Sequence, residues 1–204
     1  MTDIEIIKEL EKKLPRKLKQ LEHITWFSKG YMLNENGEVT HLSIFNVRLN
    51  GVFPKEIFMF KNLEYLDIRE NGLSAVPDEI KELKNLTYLD IRYNELTELP
   101  GGFNGLAKLE RLYLGYNSFR SVPGNIEGLE SLFLIDLTEN EISSGTEKLF
   151  GLPALTNIYL KTNRLKSIPF DLLRHGRIKE LNISENQIKE VPAPVYEKIE
   201  KIIK

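Results

Sequence analysis

The run Leu63-Glu64-Tyr65-Leu66-Asp67-Ile68-Arg69-Glu70-Asn71-Gly72-Leu73 returns 23 residues later as Leu86-Thr87-Tyr88-Leu89-Asp90-Ile91-Arg92-Tyr93-Asn94-Glu95-Leu96. The same step carries the asparagine on to Asn117, Asn140, Asn163 and Asn186. Each of these closes a further copy: Leu109, Leu112, Leu114 and Phe119; Leu132, Ile135, Leu137 and Ile142; Leu155, Ile158, Leu160 and Leu165; Ile178, Leu181, Ile183 and Ile188. An imperfect copy comes first, with Val39, Leu42, Ile44 and Leu49, and with Val47 in place of the asparagine. Self-similarity at a fixed period of this size is the mark of a stacked-repeat architecture.

Alternation around the fourth and sixth positions of each unit describes a short strand with one buried face. A strand that recurs at a constant step pairs with its own copies, so the strands are expected to be parallel and in register. The chain must return to its start within each unit, and Val76-Pro77 with Ile80 and Leu83, Leu99-Pro100 with Phe103 and Leu106, and Val122-Pro123 with Ile126 and Leu129 supply the way back. Proline presets φ for the first turn of a short helical segment, and the apolar residues after it fold that segment onto the back of the sheet. Roughly seven apolar side chains per unit then face inward, and only stacked neighbours can bury them. The asparagine amide is expected to satisfy backbone groups left open where each strand bends away.

The phrase L-x-x-L-x-L-x-x-N-x-L in seven copies resembles the leucine-rich repeat family over about three quarters of the chain. The resemblance implies an α/β leucine-rich repeat solenoid: a curved horseshoe with a parallel sheet on the concave face and short helices and turns on the convex face. The 23-residue unit with Leu-Pro-x-x-Ile/Phe is similar to the intracellular group that includes scribble-type scaffolds, Ras suppressor proteins and prokaryotic relatives. In that group concave faces bind other proteins, small GTPases among them.

The expected organisation is one domain in three parts: an N-terminal helical and hairpin cap over residues 1–38, seven repeats over 39–192, and a C-terminal capping helix over 193–204. Thr2 and Glu5 read as a capping box for a helix with Ile4, Ile7 and Leu10 on one face, broken near Pro15. Asn36-Gly37 between Tyr31–Leu33 and Val39–Leu42 reads as a hairpin that covers the sheet edge. Pro194 opens an amphipathic stretch with Val195, Ile199, Ile202 and Ile203 on one side, the basis for a terminal helix. In the fifth unit Gly145-Thr146 replaces the usual Leu-Pro, and Ser144 with Glu147 could cap a longer helix through Leu149 and Phe150.

Composition narrows the function classes. The chain has no cysteine, whereas extracellular relatives of the resembled family carry cysteine-paired caps, so a cytoplasmic setting is expected. No apolar run approaches the ~20 residues of a membrane span, and the N-terminus lacks the basic and apolar regions of a secretory signal. A net charge of −2 with both signs mixed throughout argues against nucleic acid. His23, His41 and His175 do not cluster, and His175 takes the place of leucines in earlier units, a packing substitution. There is no nucleophile elbow and no phosphate-cradling glycine loop, so no catalytic residue, cofactor or metal is expected. A metal between Asp67 and Asp90 is a poor prospect, because two carboxylates alone do not make a hard-cation cage.

What remains is the surface. Positions 3, 5 and 7 of each unit are expected to point from the concave sheet into solvent, with position 8 on the rim. Six of the chain's 8 tyrosines fall there: Tyr65, Tyr88, Tyr93, Tyr113, Tyr116 and Tyr159. With Asp67, Arg69, Asp90, Arg92, Arg111 and Asp136 they form the expected partner-binding set, since tyrosine and arginine dominate interface hot spots. In register, Asp67 lies beside Asp90 and Arg69 beside Arg92. Either each Asp pairs with its own Arg, or a partner supplies charges complementary to both rows. Seven strands give a face about 30 Å wide, the span of a protein interface and too open to enclose a small molecule. The expected function is a non-enzymatic, monomeric adaptor in signalling that binds a folded protein or peptide. A regulatory or sensor subunit of small-GTPase-type signalling and a microbial effector that binds host proteins are the alternatives. Tyr88→Ala or Arg92→Ala is expected to abolish binding without loss of folding.

Overall fold

The computed structural model describes residues 1–171, 177–196 and 199–204. His175 of the sequence reading therefore lies outside the described residues. Helix α1 (Asp3–Glu11) opens the chain, followed by β1 (Lys19–Gln20), β2 (Gly30–Leu33) and β3 (Val39–Ser43). The repeats contribute β4 (Tyr65–Asp67), β5 (Tyr88–Asp90), β6 (Arg111–Tyr113), β7 (Leu134–Asp136), β8 (Asn157–Tyr159) and β9 (Glu180–Asn182). Among the described residues these join β10 (Lys201–Ile203) in one sheet of ten strands in chain order. Every neighbouring pair is parallel except β2 and β3. Tyr65 pairs with Tyr88 and Asp67 with Asp90, the register expected from the repeat.

One continuous apolar core runs between the sheet and the returning segments, from Ile6 to Ile199. The returns after Pro54, Pro77 and Pro100 are short 3-10 helices over Lys55–Met59, Asp78–Glu82 and Gly101–Gly105. The fifth unit instead makes α2 (Glu147–Gly151), with Thr146 at its N-cap and no capping side-chain bond. Phe150 is buried there.

The asparagine ladder joins consecutive units. Asn94 accepts from the backbone N–H groups of Asn71 and Leu73 in the unit before it and donates to the carbonyls of Ile68, Ile91 and Arg92. Asn117, Asn140, Asn163 and Asn186 each accept one backbone N–H from the preceding unit, those of Leu96, Phe119, Ile142 and Leu165.

At the N-terminus Thr2 and Glu5 form the capping box, and Ile6, Ile7 and Leu10 bury against the first unit. The hairpin turns at Gly37, whose φ of 76° suits glycine, while Asn34 Oδ1 accepts from Asn36 and Glu38. The C-terminus departs from the expected 193–204 helix. Among the described residues the helix α3 (Ala193–Tyr196) spans four residues, and Lys201–Ile203 pair with β9 as β10. Open backbone groups on β9 explain the change: Ile203 O accepts from Ile183 N at 2.8 Å, and Lys201 N donates to Lys179 O at 3.0 Å. Two adjacent β-branched residues, Ile202 and Ile203, favour the extended form there.

Candidate functional site

Strand alternation puts Tyr65, Asp67 and Arg69, with their counterparts Tyr88, Asp90 and Arg92, on the concave side of β4 and β5. Their exposure overturns part of the expectation. Asp67, Arg69 and Asp90 are buried, and Arg92 is partly buried. Arg69 grips Asp67 through both Nε and Nη2 at 2.8 Å, and Arg92 grips Asp90 at 3.0 and 2.5 Å. Repulsion between the two in-register carboxylates is relieved because Arg69 Nε also lies 3.3 Å from Asp90 Oδ2. Ser43 Oγ donates to Asp67 and extends the lattice onto β3, while Arg92 lies 4.0 Å from Asp136 on β7. The charges are compensated within the chain, so these rows do not wait for complementary charges from a partner.

Burial opposes the Arg69 charge, but the Asp67 hydrogen bonds and the nearby carboxylates outweigh it and hold the guanidinium above its ordinary pKa. Arg92 moves in the same direction against its own burial, held by Asp90 and then Asp136. Such a lattice is costly to break on one side only. Arg92→Ala would leave Asp90 short of its main partner, and Tyr88 is packed between Tyr65 and Tyr113, so neither alanine variant is neutral for folding as first expected.

Beside the lattice, His41, Tyr65, Tyr88 and Tyr113 form an aromatic row across β3 to β6. The ring centroids of Tyr65 and Tyr88 are 4.3 Å apart, and those of Tyr88 and Tyr113 are 5.2 Å apart. Burial pushes the Tyr65 phenol up to about 12, with the Asp67 and Asp90 charges adding to it. Tyr88 is raised further, by burial first and then by the Asp90 charge.

The rim differs. Tyr93 and Tyr116 stack at 4.1 Å yet stay 44% and 40% exposed. Both sit at positive φ, as do Glu70, Glu139, Thr162 and Glu185 in the same place of other units. A non-glycine residue in the left-handed region costs roughly 1 kcal/mol, offset here by the hydrogen bonds of the asparagine that follows. The remaining expected residues lie apart from the lattice: Arg111 covers the Phe133 ring at 4.8 Å, and Tyr159 donates to Glu180 at 2.8 Å.

One residue absent from the sequence reading completes the site. Trp26, from the segment between β1 and β2, reaches over the lattice, with the Arg69 and Arg92 guanidinium carbons 4.1 and 4.6 Å from its ring centroid. It belongs to no repeat and follows no periodicity; being the sole tryptophan of the chain was its one signal. Asp67 and Asp90 are occupied by arginine, and the described residues hold no group of three or more metal-binding side chains.

The leucine rich repeat family model matches at residues 38–96, 61–119 and 85–142. This chain is a leucine-rich repeat protein. Among solved structures, a leucine-rich repeat protein of Leptospira interrogans aligns with a TM-score of 0.60 at 26% identity. The alignment covers 74% of this chain and 47% of that one, so the present chain spans under half of its length. Internalin C2 of Listeria monocytogenes aligns with a TM-score of 0.57 at 22% identity over 80% of each chain, a likeness of fold alone. No curated protein matches the sequence. With 343 solved chains matching, the architecture is too widely shared to choose a partner by itself. Leucine-rich repeat domains are general protein-interaction modules, and no helix among the described residues of this leucine-rich repeat chain is long and apolar enough to cross a membrane.

Proposed function

We propose that this chain is a non-enzymatic adaptor that takes another protein against its concave face and the adjoining rim. Tyr93 and Tyr116 are the anchors. Tyr65, Asp67, Arg69, Tyr88, Asp90 and Arg92 form the rigid floor, and Arg111, Tyr113, Asp136 and Tyr159 continue the face toward the C-terminus. The observation that carries this reading is the exposed Tyr93–Tyr116 stack. Nothing in the repeat requires an aromatic ring at that strained position, whereas an ordered aromatic pair presents contact area with little rotamer entropy left to lose. A floor whose charges are already paired favours a partner bound by shape, aromatic contact and hydrogen bonds over one bound by net charge.

A monomer in the cytoplasm, working in signalling, fits the cysteine-free composition and the resembled intracellular group. That group makes a small GTPase the first partner class to try. The test is affinity purification with wild-type bait beside a Tyr93→Ser/Tyr116→Ser variant, together with direct titration of small GTPases loaded with GDP or a GTP analogue. Both tyrosines are exposed, so the variant keeps its core. A partner held by wild type and lost by the variant supports the reading, whereas equal recovery would remove the rim from the site.

A further inference from the structure

The contact between Trp26 and the arginine pair has the form of a bound ligand. The ring lies over both guanidinium groups, and the Trp26 backbone carbonyl accepts from Arg69 Nη2 at 3.1 Å. The turn that carries it is closed by Thr25 and Ser28, whose hydroxyls are 2.7 Å apart. Lys29 moors its far end by donating to Asn46 O and lying 4.3 Å from the Phe45 ring centroid. The core takes no part in this attachment: Trp26 is 49% exposed and Phe27 82%. The shelf beneath keeps its shape without the tryptophan, because Asp67 and Asp90 fix both guanidinium groups from below.

We propose that the Arg69–Arg92 shelf is a subsite for a flat aromatic side chain on a peptide segment, and that Trp26 fills it in cis as a replaceable occupant. The proposal rests on the concave-face reading above and names what that face takes. The chemistry of the ligand is that of the present occupant: a planar ring that stacks on arginine, and a main-chain carbonyl within reach of Arg69 Nη2. A loop or strand of a partner bearing tryptophan, tyrosine or phenylalanine supplies both. A turn tethered by a short linker competes at an effective concentration on the order of millimolar, so the apparent affinity of an incoming segment falls by the fraction of time the shelf is open.

The probe is a fluorescein-labelled peptide of residues 22–29, titrated by anisotropy against wild type, Trp26→Ala and Trp26→Ala/Arg92→Lys, with folding checked by circular dichroism. Binding to Trp26→Ala is expected to be at least about tenfold tighter than to wild type. It should vanish when the peptide's own tryptophan is replaced by alanine, and weaken in the Arg92→Lys background, because an ammonium cannot stack as a plane. Equal affinity for wild type and Trp26→Ala, or indifference to the peptide's tryptophan, would overturn the proposal. Should Trp26→Ala fail to fold, wild type still decides the matter. Trp26 is the only tryptophan, and excess peptide carrying phenylalanine in its place should shift the protein's emission to the red. An unchanged spectrum refutes displacement. The peptide reads the shelf without any partner, so failure here leaves the Tyr93–Tyr116 test intact, and failure there leaves this result standing.

Discussion

Asn94→Ala tests how the repeats are held to one another. The Asn94 side chain makes five hydrogen bonds, but its loss does not orphan five groups. Ile68 O keeps Asn71 Nδ2, Ile91 O keeps Asn117 Nδ2, and Arg92 O keeps the Glu70 N–H. Two donors lose the acceptor they have, the backbone N–H groups of Asn71 and Leu73 at 3.1 and 2.9 Å. A buried unsatisfied amide costs about 1–3 kcal/mol, so the variant should lose roughly 3 kcal/mol, toward the lower end of the summed range if water enters. Both orphaned donors belong to the preceding unit, so the loss falls on the coupling between units, and the unfolding transition should broaden as cooperativity weakens. Urea unfolding followed by far-ultraviolet circular dichroism measures both midpoint and slope. Asn94→Asp sharpens the test. It keeps the acceptor for both N–H groups but points a carboxylate at three carbonyl oxygens. That raises its native pKa above the unfolded value, so its stability relative to wild type should recover as pH falls. A loss below about 1 kcal/mol for Asn94→Ala, or no acid recovery for Asn94→Asp, would mean that the Asn94 side chain does not couple these units.

Further outcomes follow from the same geometry. Arg69→Met should destabilise by about 3–5 kcal/mol, because Asp67 stays buried without its main partner. The same variant should alter Trp26 emission, and a midpoint within error of wild type would count against the lattice. Tyr65 is held up to about 12 from an ordinary 10, so the unfolded chain releases its proton first as pH rises, and stability falls between those values. Tyr65→Phe should flatten that loss in urea midpoints measured from about pH 9 to about pH 12, and an unchanged slope would contradict it. Gly102→Ala should cost about 1–3 kcal/mol, since the new methyl group would overlap the Asp78 carbonyl oxygen of the unit before it. Thermal melts of this variant beside Gly37→Ala, where the methyl meets only open space and the cost is conformational, separate crowding from backbone strain.

The repeat, the parallel register of Tyr65 with Tyr88 and Asp67 with Asp90, the asparagine ladder, the capping box at Thr2 and the hairpin at Asn36-Gly37 were all legible in the primary structure. Each of these depends on groups a fixed number of residues apart, and a period transmits such relations without knowledge of the whole. The primary structure also placed Tyr65, Tyr88, Tyr113, Tyr159 and the Asp–Arg rows on the concave side, because strand alternation assigns a side, and it put Tyr93 and Tyr116 on the rim. What alternation cannot assign is depth. Asp67, Arg69 and Asp90 share a face with the partly exposed Tyr65 and Tyr113 yet are buried, since their salt bridges fold them flat and Trp26, 43 residues before Arg69, comes to rest on top. The C-terminal segment carried an amphipathic pattern that suited a helix, but the open edge of β9 offered hydrogen bonds to Lys201–Ile203 and drew it into the sheet. Both outcomes arise from contacts between segments with no periodic relation to one another, and only the assembled tertiary structure brings such segments together.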